Sequence, residues 1–338
     1  MLATPLLRVR QLLGSALYGE VLECELPDHD EPVAVKCISL TQAAQARSRA
    51  HASREIDNPI QEQRVAAMLT ANGGHRNVVQ PHFHFVHERR LFLVNELCRD
   101  GDLHSFMSER FNASSFLQEH EVLALMHQVL QGVYYLHTTI GVAHRDLSLE
   151  NVLLSRGVCK ITDFGLSTDS RRICEGGLVG KDYYMAPEVV AGKRYDPVLA
   201  DVWSLGIMWF IMLTGSPLLS LASPSVKGFN AVKRRCGCCH RGVGPFRPHF
   251  EEHHHTPGQD VADRSAAANI AGPSAGPPHV HCCCRDIVRS SKQLQIKSSR
   301  RNSFLLYLCC IRSCIEQKKL VANEYNLLLQ STLIAWIT

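Results

Sequence analysis

The 338-residue chain has no run of about twenty apolar residues, the length that crosses a bilayer as a helix. FLLYLCC (304–310) is too short, and LVANEYNLLLQSTLIAWI (320–337) is broken by polar residues, so no membrane span is expected. The cysteines lack the two paired C-x-x-C units of a zinc site. Cys236, Cys238 and Cys239 with His240, and Cys282, Cys283 and Cys284 with His279 and His281, are crowded together. Adjacent cysteines chelate one ion poorly, so a metal site is not expected there. Acids are scarce at one end. Residues 221–338 hold 7 Asp+Glu against 16 Lys+Arg, net +9, whereas residues 1–220 hold 25 against 20, net −5. Nine of the 14 cysteines lie in that basic end, which also carries a Pro/Gly/Ala/Ser-rich stretch and reads as linker or disorder. The first ten residues, MLATPLLRVR, have no acid, as a transit peptide would, but they run directly into a strand pattern and are read as part of the fold. With 45% hydrophobic residues the remainder can bury a substantial core. Unpaired cysteines at strand positions 37 and 159 point to a reducing, cytoplasmic setting.

What is present is chemically dense. HRDLSLEN (144–151) is followed by DFG (163–165) and YMAPE (184–188). Moving a γ-phosphoryl group to a hydroxyl needs a carboxylate to orient the hydroxyl, oxygen ligands for Mg²⁺, and cations to hold the phosphates. Asp146 supplies the first. Asn151 and Asp163 offer an amide oxygen and a carboxylate to a hard cation. Between them, VLL (152–154) and VCKIT (158–162) flank a Ser155-Arg156-Gly157 turn and predict a hairpin that brings Asn151 and Asp163 to one end. Upstream, LLGSALYGEV (12–21) lies between two strand-like runs, a turn suited to exposing backbone N–H groups to phosphates: Leu13, Gly14, Ser15, Ala16, Leu17, Tyr18, Gly19 and Val21. PVAVKCISL (32–40) alternates as a half-buried strand and carries Lys36. Glu62, with Val65, Met68 and Leu69 after it at helical spacing, is the first choice for a carboxylate paired with Lys36; Glu55 is the second.

Over residues 8–220 these motifs resemble the eukaryotic protein kinases of the serine/threonine type. GDLHSFM and SLGIMWFIMLTGSPL are most similar to the calcium/calmodulin-dependent group. The resemblance implies an α+β fold of two lobes: a small lobe (8–97) with an antiparallel sheet and one helix, and a larger, mainly helical lobe (98–220). It implies Asp146 as catalytic base, Asn151 and Asp163 as Mg²⁺ ligands, and Lys36 gripping the α and β phosphates of ATP. It adds Ala34, Leu153 and Asp102 to the nucleotide contacts, and places the adenine edge against backbone groups of Glu96 and Cys98, with Asn95 as gatekeeper. Asp201, in an all-apolar helix over 201–215, would anchor the catalytic-loop backbone. Val122, Leu125, Met126, Val129, Leu130, Val133 and Leu136 predict an amphipathic helix before that loop. The implied partner is a protein with a Ser/Thr acceptor; a monomer with no nucleic-acid partner is expected. The helices that close the large lobe in this family have no counterpart pattern after about residue 235, so the large lobe reads as incomplete.

Several positions depart from the family pattern. Ala16 replaces the middle glycine of G-x-G-x-x-G. Ser148 stands where serine/threonine kinases carry lysine, and Lys181, in GKDYY (180–184), stands where they carry threonine. Two readings are open: hydroxyl and ammonium have traded places, or the site is damaged and Lys181 faces solvent. The second would make the chain a nucleotide-binding pseudokinase or scaffold. No hydroxyl lies between Arg171 and Lys181, where an activating phosphate would pair with Arg145. Glu175 is the expected substitute anion, and activity independent of loop phosphorylation is expected to follow.

Overall fold

Alternation at every second residue builds the first layer. The computed structural model describes residues 7–226, apart from 28, 29, 50–53, 114 and 116. The Cys/His clusters and apolar segments of the basic end lie outside the described residues. Five strands, β1 (Arg8–Ala16), β2 (Gly19–Glu25), β3 (Val33–Ser39), β4 (Pro81–His87) and β5 (Arg90–Glu96), pair antiparallel in the order β1-β2-β3-β5-β4. Because side chains alternate between faces, Val33 and Val35 join Cys24, Leu26 and Val94 in one small core. Ile38 joins Leu91, Leu93 and Tyr18 in another. Lys36 is even-numbered like Ala34 and Ile38, which places it on their face of the sheet.

The Ala/Arg/Ser-rich stretch after β3 forms a helix of its own, α1 (Leu40–Arg49), whose Ala43 completes the second small core. Helix α2 (Pro59–Ala71) follows. Asn58 caps it, its Oδ1 accepting from Ile60 N at 3.2 Å, and Pro59 sits at the first helical position, where a missing N–H costs nothing. Glu62, Val65 and Leu69 are buried along one face.

The large lobe grows around helices. They are α3 (Leu103–Asn112), α4 (Glu119–Tyr135), the short α5 (Pro187–Val190) and α6 (Pro197–Thr214). On α4 the positions 122, 126, 129 and 133 are buried, as the 3.6-residue period requires. Helix α6 is apolar all round and long enough to cross a membrane, but 72% of it is buried within the lobe. It is capped by Asp196 and stopped by Gly215, whose φ is +75°. Two short pairings finish the lobe: β7 (Val152–Ser155) with β8 (Val158–Ile161), and β6 (Val142–Ala143) with β9 (Thr168–Asp169). Leu219 and Ala222 are buried in the same core.

Asp201, fully buried on α6, ties this core to the chemistry. Its carboxylate accepts from the backbone N–H groups of His144 and Arg145, both at 2.7 Å, and meets His137 Nε2 at 2.8 Å. Asp201→Ala would strand those donors away from water. The expected loss is about 3–5 kcal/mol of stability, read as a lower urea midpoint at unchanged slope.

Candidate active site

Residues 144–151 leave β6 as a loop that is held from three sides. His144 Nδ1 accepts from Asp146 N at 3.2 Å and Nε2 lies 2.9 Å from Thr162 O. These partners place the ring proton on Nε2, and the ring packs on Phe164 with centroids 5.4 Å apart. Asn151 Nδ2 donates to both Asp146 O and Asp146 Oδ2, each at 2.8 Å. With the nitrogen so committed, Asn151 Oδ1 is the atom left to face a cation. The β7–β8 hairpin, turned through Arg156 (φ +51°) and Gly157 (φ +75°), brings Thr162 N onto Asn151 O at 3.0 Å. Asp163 follows directly, so the two oxygen donors stand at one end of the hairpin. Arg145 and Asp163 both have left-handed backbone, φ +68° and +65°. Non-glycine residues hold that conformation only where surrounding contacts over-determine it.

Across the cleft, Lys36 Nζ meets Glu62 Oε1 at 2.8 Å, Glu62 Oε2 at 3.0 Å and Asp163 Oδ1 at 3.0 Å. Glu55, the second choice for this pairing, is elsewhere, on Arg145. Burial acts to lower the Lys36 ammonium, but Glu62 and Asp163 outweigh it and hold the charge well above the usual lysine range. Burial pushes the Glu62 carboxyl up to about 7 against the pull of Lys36. As pH falls through 7, Glu62 takes up a proton and its attraction for Lys36 disappears. The turnover-to-KM ratio for ATP, which reports the free protein, is therefore expected to fall on the acid side with a midpoint near 7. In Glu62→Gln that step should be missing and the ratio uniformly low.

Asp57, just before α2, was not singled out by any motif. Burial and then the Asp163 charge push its carboxyl up to about 6, which places it at the edge of the same charged cluster. It stands in no recognisable spacing with Lys36 or Asp163, so only the fold reveals it.

Lys181 points inward. Its Nζ lies 2.8 Å from Ser148 Oγ and 3.3 Å from Asp146 Oδ2, and its backbone N–H donates to Asp146 Oδ1 at 3.0 Å. Ser148 is fully buried. Gly180 makes the approach possible. Its φ is +84°, and a Cβ there would stand 2.7 Å from Arg145 O and 3.2 Å from Asp146 Oδ1.

At the nucleotide end, the β1–β2 hairpin turns at Leu17-Tyr18, with Gly14 opposite Val21, Ala16 opposite Gly19, and Val21 opposite Lys36. Gly19 is needed for packing, since a Cβ would fall 1.9 Å from Cys37 O. Leu13, Ser15 and Leu17 are exposed. Tyr18, expected among the phosphate-cover residues, is buried against Ile38, Ala43, Leu91 and Leu93; its ring belongs to the core because α1 closes over it. Ala34 pairs with Asn95, and Leu153 bridges Asp102. Asp102, expected to meet ribose or substrate, caps α3, with Oδ1 accepting from Ser105 N at 2.8 Å and Oδ2 from Ser105 Oγ at 2.9 Å. The Glu96 carboxylate accepts from Gln80 N at 2.7 Å and Lys160 Nζ at 2.8 Å, so its side chain ties the end of β5 to β8. Burial and then Glu96 push the Cys98 thiol up to about 12, which keeps it protonated.

Glu175 does not reach Arg145. It pairs with Arg194 at 3.2 Å on the surface, both side chains largely exposed. The carboxylate on Arg145 Nη2 is Glu55, at 2.5 Å.

The sheet-and-helix small lobe, the helical large lobe, and a lysine–carboxylate pair facing an aspartate–asparagine loop are the parts of a protein kinase. The family model for the protein kinase domain matches residues 7–267, and the chain belongs to that family. Among curated relatives, it is 40% identical over 146 residues to CBL-interacting serine/threonine-protein kinase 17 of Arabidopsis thaliana, covering 42% of this chain and 33% of that protein. It is 34% identical over 220 residues to serine/threonine-protein kinase PRR2 of Saccharomyces cerevisiae, covering 63% and 29%. It is 32% identical over 213 residues to serine/threonine-protein kinase PLK4 of Danio rerio, covering 62% and 21%. The chain thus spans a third or less of the length of these relatives.

Proposed function

We propose that the chain transfers the γ-phosphate of ATP to serine or threonine hydroxyls of protein substrates, with Mg²⁺ as cofactor. The observation that carries this reading is the Lys181 ammonium lying between Ser148 Oγ and Asp146 Oδ2. Serine/threonine kinases need one cation beside the catalytic carboxylate, and here it arrives from the activation segment (163–188) instead of the catalytic loop (144–151). Asp146 would accept and orient the substrate hydroxyl. Lys36, steadied by Glu62, would grip phosphates. Asn151 and Asp163 would hold Mg²⁺, which supplies charge neutralisation at the phosphates when bound. The donor set fits a hard cation: one carboxylate, and one amide oxygen whose nitrogen is occupied elsewhere. A reducing, cytoplasmic setting is part of this reading, supported by the buried thiols of Cys24, Cys37, Cys159 and Cys174.

Incubating the whole chain with γ-labelled ATP and a mixed protein acceptor tests the proposal. Label is expected on serine and threonine, and should vanish when EDTA removes Mg²⁺. Thermal stabilisation by Mg-ATP without any label would mark a nucleotide-binding protein without transferase activity and overturn the reading.

A further inference from the structure

Arg145 is a buried cation. Its side chain is 5% exposed, and a guanidinium so placed requires a counter-charge. Nε donates to Tyr195 Oη at 3.0 Å and Nη1 to Leu166 O at 3.4 Å, both neutral acceptors. Among the described residues, Glu55 supplies the only carboxylate that touches it, at 2.5 Å from Nη2. Burial acts to lower the Arg145 guanidinium, and the hydrogen bond to Glu55 leads the effects that raise it instead.

Glu55 does not arrive alone. It belongs to the segment 54–58 that leads into α2, and this segment runs along the activation segment at both ends. Arg54 forms a parallel bridge with Leu178, and Glu55 N donates to Leu178 O at 2.8 Å. Arg54 Nη2 donates to Gly180 O at 2.8 Å and Nη1 meets Asp182 at 3.2 Å. At the other end Asn58 N donates to Gly165 O at 2.9 Å, and Asn58 is the cap of α2, the helix that carries Glu62. One strap therefore joins the Glu62 helix, the residues after Asp163, and the Gly180-Lys181 turn that delivers the ammonium to Asp146. Two hydroxyls early in the activation segment have backbone partners: Ser167 Oγ donates to Phe164 O at 2.7 Å and Ser170 Oγ to His137 O at 3.2 Å.

Resting on the kinase reading above, we propose that Glu55 is the positioning residue that anchors the activation segment, filling on Arg145 the place of an added phosphate. Phosphotransfer by this chain then requires no phosphorylation of its activation segment. The negative charge that organises Lys181 is encoded in the lead-in to α2.

The test compares full-length wild type, Glu55→Gln, Glu55→Asp and Glu175→Gln, each treated with a broad-specificity phosphatase that is then removed. Two quantities are read: steady-state transfer, and amide hydrogen exchange over residues 174–183, which does not depend on transfer. Phosphatase should leave wild-type turnover unchanged. Glu55→Gln should lose on the order of 10²-fold in turnover with little change in the KM for ATP, because misplacing Lys181 disturbs geometry and not nucleotide binding. Its exchange over 174–183 should quicken about tenfold. Glu55→Asp, which keeps the charge, should recover part of both, and Glu175→Gln should match wild type. Mg-ATP thermal stabilisation of Glu55→Gln shows that the variant is folded; if it is not, Glu55→Asp decides by the same two readouts. The proposal is overturned if phosphatase abolishes wild-type turnover, or if Glu55→Gln exchanges like wild type. Should wild type itself fail to transfer phosphate, the kinase reading falls, and exchange alone decides the anchor: faster exchange in Glu55→Gln supports it and unchanged exchange rejects it.

Discussion

Asp146→Asn is expected to cut phosphotransfer by about 10²–10⁴-fold, the usual contribution of a positioned general base. Both Asp146 carboxylate oxygens receive donors: Oδ1 takes Lys181 N, and Oδ2 takes Asn151 Nδ2 and Lys181 Nζ. An asparagine can satisfy only one of these sides. However it turns, its NH2 group faces a donor, so the variant loses the base and also loosens Lys181 and Asn151. Lys36, Glu62 and Asp163 hold each other without Asp146, so thermal stabilisation by ATP should persist. The expected pattern is a collapse of turnover with retained nucleotide binding. Turnover within threefold of wild type would remove Asp146 from the chemistry.

Lys181→Ala should be nearly as damaging. Stabilising charge that develops in the transition state is often the largest catalytic effect, and removing one preorganised donor costs about 10²–10³-fold in turnover. Lys181 is the only side-chain cation within hydrogen-bonding distance of Asp146 among the described residues. Ser148 cannot replace it, since a hydroxyl carries no charge, and in the variant its buried Oγ loses its partner. The Gly180 turn and the backbone bond from residue 181 to Asp146 Oδ1 do not depend on the side chain, so the fold of the loop should survive. Single-turnover rates with saturating Mg-ATP separate this loss of chemistry from weaker binding; a lysine that merely faced solvent would leave them unchanged.

Much of this architecture was legible in the residues because local and tertiary requirements coincide there. The alternation in VAVKCIS places Lys36 on a defined face, and Val65 and Leu69 at helical spacing from Glu62 aim that carboxylate inward. Ser155-Arg156-Gly157 could be read as a turn because the hairpin needs left-handed backbone at 156 and 157. The inward reach of Lys181 was an open alternative that only three-dimensional placement could settle, since 33 residues separate it from Ser148.

Tyr18 and Glu175 depart from expectation because of long-range partners that no spacing announces, and Asp102 because of a local one. Tyr18 sits in a glycine-rich turn, yet α1, formed by a largely polar segment, covers its ring. Asp102 carries the N-cap signature, an aspartate with a serine three residues on, and capping takes both of its oxygens. Glu175 lies in the activation segment where a substitute anion is expected, but the strap at 54–58 brings Glu55 to Arg145 from 90 residues away. A bridge such as Arg54 to Leu178 depends on the lobes already being assembled.

Relative to the family pattern the hydroxyl of Ser148 and the ammonium of Lys181 stand in traded positions, and the proposed activity depends on that exchange. A double-mutant cycle on turnover, using Ser148→Lys, Lys181→Thr and the two together, tests it most directly. Ser148→Lys should be slow because it crowds two ammonium groups into a buried site, and Lys181→Thr because it leaves none. The double variant should regain at least tenfold over either single one, so that the two losses do not add. Losses that simply add, with the double variant slower than both, would contradict the exchange.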